Sequence, residues 1–208
     1  MTGDIVKASQ EAALREDTHV DSPQLGKNSL LLPGERLERV SAWGEASSTM
    51  GYVFRPTSIR DILQVLEVAH AGNYSIGLRG AGNSYGDATL NESQIILDLR
   101  RMNRILSWDS HSGIIKVEPG VTISQLWQYV LEDGWWPAVV PGTSKPTIGG
   151  CAGMNIHGKN AWKEGTIGDH ITEFENGKKM KPVLLEYGAA TAAMFLAVGV
   201  YPSREKEE

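Results

Sequence analysis

The chain has 208 residues, 41% of them hydrophobic and 22% charged. That is enough apolar material for at least one packed core and close to the globular average, so collagen-like, coiled-coil and wholly disordered readings fall away. Lys+Arg 20 against Asp+Glu 25 leaves a net charge of −5, with no basic field to draw in a nucleic acid. The single cysteine, Cys151, excludes an intramolecular disulfide framework and a cysteine-rich zinc site.

Residues 1–28 read as a polar, weakly helical leader with no apolar stretch of signal-peptide length. From Leu30 to Pro56 the pattern shows little beyond an isolated Ser41-Ala42-Trp43-Gly44. Ser58 with Asp61 three residues on marks a helix start; Ile59, Ile62, Leu63, Leu66 and Ala69 recur at helical spacing, and Ala71-Gly72-Asn73 ends the helix. A short apolar strand, Ser75 to Leu78, runs into a loop over 79–87. Strands are expected at 95–99, 105–108 and 114–117, the last broken by Pro119-Gly120. Thr122 and Gln125 form a second capping box, before a helix with Ile123, Leu126, Trp127, Val130 and Leu131 on one face and Gly134 at its end. Residues 141–160, PGTSKPTIGGCAGMNIHGKN, have no sustained period and read as a functional loop. The Trp135-Trp136 pair reads as packing, and Cys151 as a small buried residue without thiolate activation.

The chemistry lies in the glycines, 23 of them, above the usual share of about 7%. In Arg79-Gly80-Ala81-Gly82-Asn83-Ser84 a strand runs into a turn with glycine at alternate positions. Such a turn exposes converging backbone N–H groups that no side chain shields, a nest for phosphate oxygens. Two better-known phosphate motifs fail: no Gly-Lys-Ser/Thr triplet occurs, and G-x-G-x-x-G would need glycine where Tyr85 stands. A plain glycine turn is the competing reading, weakened by the second cluster, Gly149, Gly150 and Gly153. His157 alone is either a structural hydrogen-bonder or a ligand-facing group. His19, His70, His111 and His170 show no metal spacing.

RGAGNSYGD at 79–87, followed by PGT at 141–143, TIGG at 147–150 and NIHGKN at 155–160, resembles the FAD-binding (PCMH-type) domain of the vanillyl-alcohol oxidase superfamily. Within it the motifs are most similar to the decaprenylphosphoryl-ribose 2-oxidase and sugar-lactone oxidase branch. The resemblance implies an α+β fold in which FAD lies between two subdomains, over residues 29–175. It implies that Leu78, Arg79, Gly80, Ala81, Gly82, Asn83, Ser84, Tyr85, Gly86, Asp87 and Ala88 wrap the pyrophosphate. Gly142, Thr147, Ile148, Gly149 and Gly150 would line the adenosine and ribityl path, and His157, Gly158, Lys159 and Asn160 would lie near the flavin. No catalytic residue is assigned, His157 being the candidate. Many members carry a flavin-linked histidine where this chain has Asn83, so the resemblance implies non-covalent FAD. The implied reaction is hydride transfer to FAD from a hydroxyl carbon of a sugar, sugar lactone or lipid-linked sugar.

The resemblance fades at 171–175, where the family continues into further strands and a substrate domain. The chain therefore reads as truncated, with the substrate domain absent, and a non-catalytic remnant or interaction module is the rival reading. Residues 176–208 form a divergent tail whose stretch 183–201 carries Glu186 as its only charge. A truncated or frame-disrupted product, a terminal helix covering the sheet edge and a membrane helix remain open for it. The expected location is cytoplasmic, with membrane association through 183–201 as the alternative.

Overall fold

The computed structural model describes residues 32–173. The expected leader at 1–28 and the tail at 176–208 with its stretch 183–201 lie outside them. Two α+β lobes pack around separate cores. The first is a four-stranded sheet in the order β1-β2-β4-β3, built from β1 (Leu37–Ser41), β2 (Ser48–Phe54), β3 (Ile76–Arg79) and β4 (Ile95–Asp98). β1 and β2 are antiparallel, Leu37 opposite Tyr52 and Ser41 opposite Ser48. β4 runs parallel to both β2 and β3, with Tyr52 and Ile76 each beside Ile95 and Arg79 beside Asp98.

The central strand explains the layering. Successive side chains of a strand point to opposite faces, and every residue of β4 is buried. Ile95 and Leu97 pack against α1 (Ile59–Gly72) through Ile62, Val65 and Ala69. Ile96 turns the other way, onto Val40 and Val53. Ser58 and Asp61 cap α1 reciprocally, and Asn73 ends it in the left-handed region at φ 55°. The buried stripe is narrower than the apolar pattern implies. Ile59 and Leu63 stay about two-fifths exposed, while Val65 faces the core.

In the second lobe β5 (Ile105–Asp109) and β6 (Ile114–Val117) form an antiparallel hairpin. It packs with α2 (Ile123–Val130), capped by Thr122 and Gln125, which buries Ile123, Leu126 and Val130. A 3-10 turn at Leu131–Asp133 carries the chain to Gly134 and leaves Leu131 exposed. Trp135 meets Trp108 edge to face at 6.0 Å between ring centroids. Trp136 lies 5.5 Å from Trp127 and stays 45% exposed.

β1 and β2 have no counterpart in the sequence reading. Neither does the helix inside the expected loop, α3 (Ile148–Gly153), nor the single turn α4 (Ala161–Glu164). α3 forms because Thr147 caps it, its hydroxyl accepting from the Gly150 N–H, and because neighbouring chain satisfies its first N–H groups. The Ile148 N–H donates to the Val121 carbonyl at 2.7 Å and the Gly149 N–H to the Pro119 carbonyl at 2.8 Å. Among the described residues, no helix is long and apolar enough to cross a membrane.

Candidate functional site

The two glycine segments meet. Gly80 leaves the end of β3 so close to the start of α3 that a Cβ there would land on the Thr147 hydroxyl. Only glycine allows that approach. Two residues on, Gly82 sits at φ 69° and rests on the guanidinium of Arg79, again leaving no space for a side chain. Between the segments lies a cleft of about 250 Å³. Leu78, Arg79, Gly80, Ala81, Gly82, Asn83, Ser84 and Ala88 line one side, and Thr147, Gly149 and Gly150 the other.

The two sides differ in what they offer a ligand. Among the described residues the backbone N–H groups of Gly80, Ala81, Gly82, Asn83 and Ser84 have no acceptor. Five consecutive donors left unpaired beside a cleft are the exception in a folded chain, where most buried backbone groups are bonded. The α3 side has spent its first donors on Val121, Pro119 and Thr147. It therefore contributes a wall rather than a nest.

Asn83 adds a second vacancy for bonding. Both polar atoms of its side chain, Oδ1 and Nδ2, are buried and have no partner, and the residue lines the cleft. A buried amide left unmatched costs about 1–3 kcal/mol, and a ligand bearing both donors and acceptors would satisfy it. Cys151, also on the cleft, is 1% exposed. Burial pushes its thiol up to about 12, so it stays protonated and acts as a neutral, apolar part of the wall.

The loop is anchored from behind. Trp43 donates its backbone N–H to the Ser84 carbonyl at 3.3 Å, and Lys145 Nζ stands 5.8 Å from the centre of the Trp43 ring. Arg79 Nη1 donates to Thr89 Oγ1 at 2.9 Å, and its Nη2 to the Ser41 carbonyl at 2.8 Å.

Other residues singled out in the sequence lie elsewhere. Tyr85, Gly86 and Asp87 are exposed and do not line the cleft. Ile148 points into the second core, fully buried. Gly142, Lys159 and Asn160 border a separate cavity of about 390 Å³ with Trp136, where Asn160 Nδ2 donates to the Ala138 carbonyl at 2.9 Å. Gly158 is buried against Val140. His157 is exposed, pairs with Thr166 in an isolated bridge, and has Nδ1 3.2 Å from the Gly158 carbonyl. The cleft also recruits Thr89, Leu99, Pro119, Pro146, Gly153, Met154 and Ile156. Gly153 belongs to the second glycine cluster and Pro146, Met154 and Ile156 to the expected loop, whereas Thr89, Leu99 and Pro119 carried no such mark and reach the cleft through the fold alone.

Residues 50–176 match the family described as the FAD binding domain. The chain belongs to that family. Its cofactor is FAD, and the unpaired donors of residues 80–84 with the unmatched Asn83 amide fit a diphosphate-bearing group. The chain is 35% identical over 139 residues to decaprenylphosphoryl-beta-D-ribose oxidase of Mycolicibacterium smegmatis, covering 66% of this chain and 30% of the relative. It is 24% identical over 148 residues to mouse L-gulonolactone oxidase, covering 71% of this chain and 33% of that protein. The chain thus spans about a third of the length of these curated relatives. In fold it is similar to the solved structure of alkyldihydroxyacetonephosphate synthase, with TM-score 0.56 at 18% identity over 74% of this chain and 33% of that one.

Proposed function

We propose that this chain holds FAD non-covalently in the cleft. In this reading it forms the cofactor-binding part of an oxidoreductase acting on a hydroxyl carbon of a sugar, a sugar lactone or a lipid-linked sugar. The observation that carries the proposal is the run of five N–H groups without a protein acceptor, on a loop that lines the cleft and closely approaches Thr147 at Gly80. Gly80 to Ser84 would hold the diphosphate through their backbone N–H groups, and Thr147, Gly149 and Gly150 would close the opposite side. When bound, the flavin supplies hydride acceptance, and the protein supplies binding, orientation and exclusion of water. Asn83 supports the non-covalent reading, because a carboxamide nitrogen is not a nucleophile. The relation to decaprenylphosphoryl-beta-D-ribose oxidase and L-gulonolactone oxidase supports a sugar-type substrate.

The test is spectroscopic. The purified 208-residue chain should show flavin absorbance near 450 nm, or acquire it on incubation with FAD, and acid precipitation should leave the flavin in the supernatant. Flavin that stays with the precipitate would refute the non-covalent reading. Anaerobic addition of sugar lactones and of polyprenyl-phosphate ribose should bleach the bound flavin. A coloured chain that none of them bleaches removes the oxidoreductase proposal for this chain and leaves the cofactor site standing. A folded chain that takes up no FAD favours the binding-incompetent remnant.

A further inference from the structure

The root of the glycine loop holds a surplus of positive charge. Of three guanidinium groups there, those of Arg55, Arg79 and Arg100, only Arg55 and Arg100 pair with the two carboxylates, Glu38 and Asp98. Arg55 binds Glu38 through two hydrogen bonds of 2.6 Å and also reaches Asp98 at 3.5 Å. Arg100 holds Asp98 through Nη2 at 2.6 Å and Nε at 2.9 Å. Arg79 is the in-register neighbour of Asp98 across β3 and β4. Yet its two hydrogen bonds go to neutral oxygens, Thr89 Oγ1 and the Ser41 carbonyl. Among the described residues no carboxylate comes within ion-pair distance of it.

A partly buried cation with only neutral partners is costly unless something compensates it. Burial, and then the nearby Arg100 charge, hold the Arg79 guanidinium below its ordinary value, with Asp98 offsetting only part of that. It remains charged at any physiological pH. The residue lines the cleft and its guanidinium packs against Gly82, in the middle of the five unpaired N–H groups. An anion bound against the loop would supply the charge that Asp98 leaves unbalanced.

We propose that Arg79 is a positioning and selectivity residue: its only partly compensated charge against Gly82 makes the loop select flavins that carry a diphosphate over flavins that carry none. The inference rests on reading the loop as the diphosphate cradle. The backbone N–H groups set the geometry of the contact, and Arg79 sets its charge. A buried charge near a dianion interacts through a low-dielectric medium, so its effect exceeds that of a surface lysine at the same distance. It also makes affinity fall as salt rises.

The experiment titrates the flavin-free 208-residue chain with FAD and, separately, with riboflavin, following flavin fluorescence from low to high sodium chloride. For the wild type, FAD should bind more tightly than riboflavin and lose affinity with salt, while riboflavin binding should not respond to salt. Arg79→Gln should weaken FAD about tenfold to a hundredfold, leave riboflavin unchanged and flatten the salt dependence. Arg79→Lys should recover most of the FAD affinity. A purely structural role would instead weaken both flavins equally and lower the melting temperature, with no recovery in Arg79→Lys, and that result would overturn the proposal. Should Arg79→Gln fail to fold, the wild-type salt response and Arg79→Lys still decide: salt-independent FAD binding refutes it. FAD binding untouched by Arg79→Gln removes the role of Arg79 and leaves the cradle. A wild-type chain that binds neither flavin removes both.

Discussion

The segments 79–84 and 147–153 are both rich in glycine and form opposite sides of one cleft, yet they are different physical objects. The first ends an edge strand and keeps its N–H groups unpaired. The second winds into a short capped helix whose early donors are consumed by Thr147, Pro119 and Val121. Glycine in the first permits a backbone conformation and an exposed nest. Glycine in the second permits close packing of helix against chain. The lesson is that glycine clusters alone do not identify phosphate cradles; the fate of the N–H groups does.

The sharpest way to break this comparison is Gly82→Val. A β-branched side chain at φ 69° would be strained and would meet the Arg79 guanidinium. FAD affinity should fall by at least about a hundredfold, measured by flavin absorbance retained per mole of protein, while circular dichroism still reports a folded chain. Undiminished retention would dissolve the distinction between the segments.

Gly149→Ala probes the other side. The new Cβ would stand 2.7 Å from Pro119 Cβ and 3.0 Å from its carbonyl oxygen. Overpacking of this kind costs about 2 kcal/mol, to be read from the urea midpoint. FAD affinity per folded molecule should change far less than in Gly82→Val. A large affinity loss with intact stability would mean that α3 binds the cofactor directly.

Asp98→Asn tests the ion network behind the first segment. Burial would raise the Asp98 carboxyl, but its hydrogen bonds from the Arg100 side chain and backbone, with the Arg55 charge, outweigh that and hold it below its ordinary 3.8. A carboxylate depressed on folding contributes stability above its unfolded value and loses it as pH falls through the folded value. The variant should be less stable by about 1.5 kcal/mol at neutral pH. The gap between wild type and variant should hold down to about pH 3.8 and close only below it, as the folded carboxyl takes up its proton; a gap that does not narrow on further acidification would point to packing rather than charge.

Asn83→Leu gives the smallest effect and the most diagnostic sign. Replacing an unmatched buried amide with an apolar group should stabilise the flavin-free chain by about 1 kcal/mol while weakening FAD. Melting temperatures with and without FAD would show both. A variant less stable without FAD would mean that the amide already has a partner in the protein.

Much of this architecture was legible from local pattern. Ser58 with Asp61 and Thr122 with Gln125 announced both capped helices, because capping depends on neighbours a few residues apart. The run at Ile95 announced the central strand, and the turn at 79–84 proved to line the cleft. β1 and β2 stayed hidden because their inward residues are few: in β2 the buried positions are only Gly51 and Val53, too weak for an alternation to register. α3 stayed hidden because Ile-Gly-Gly-Cys-Ala-Gly has poor intrinsic helix propensity and forms only against the Pro119 and Val121 carbonyls.

Chain order alone determined where the backbone could open toward a ligand, since glycine spacing and caps are properties of contiguous residues. Tertiary structure decided which donors stayed free and that Asp98 was already claimed by Arg55 and Arg100. It also parted Gly142, Lys159 and Asn160 from the cleft. The reason is that hydrogen-bond and charge satisfaction are pairwise, and the partners lie tens of residues apart, where no local pattern can count them.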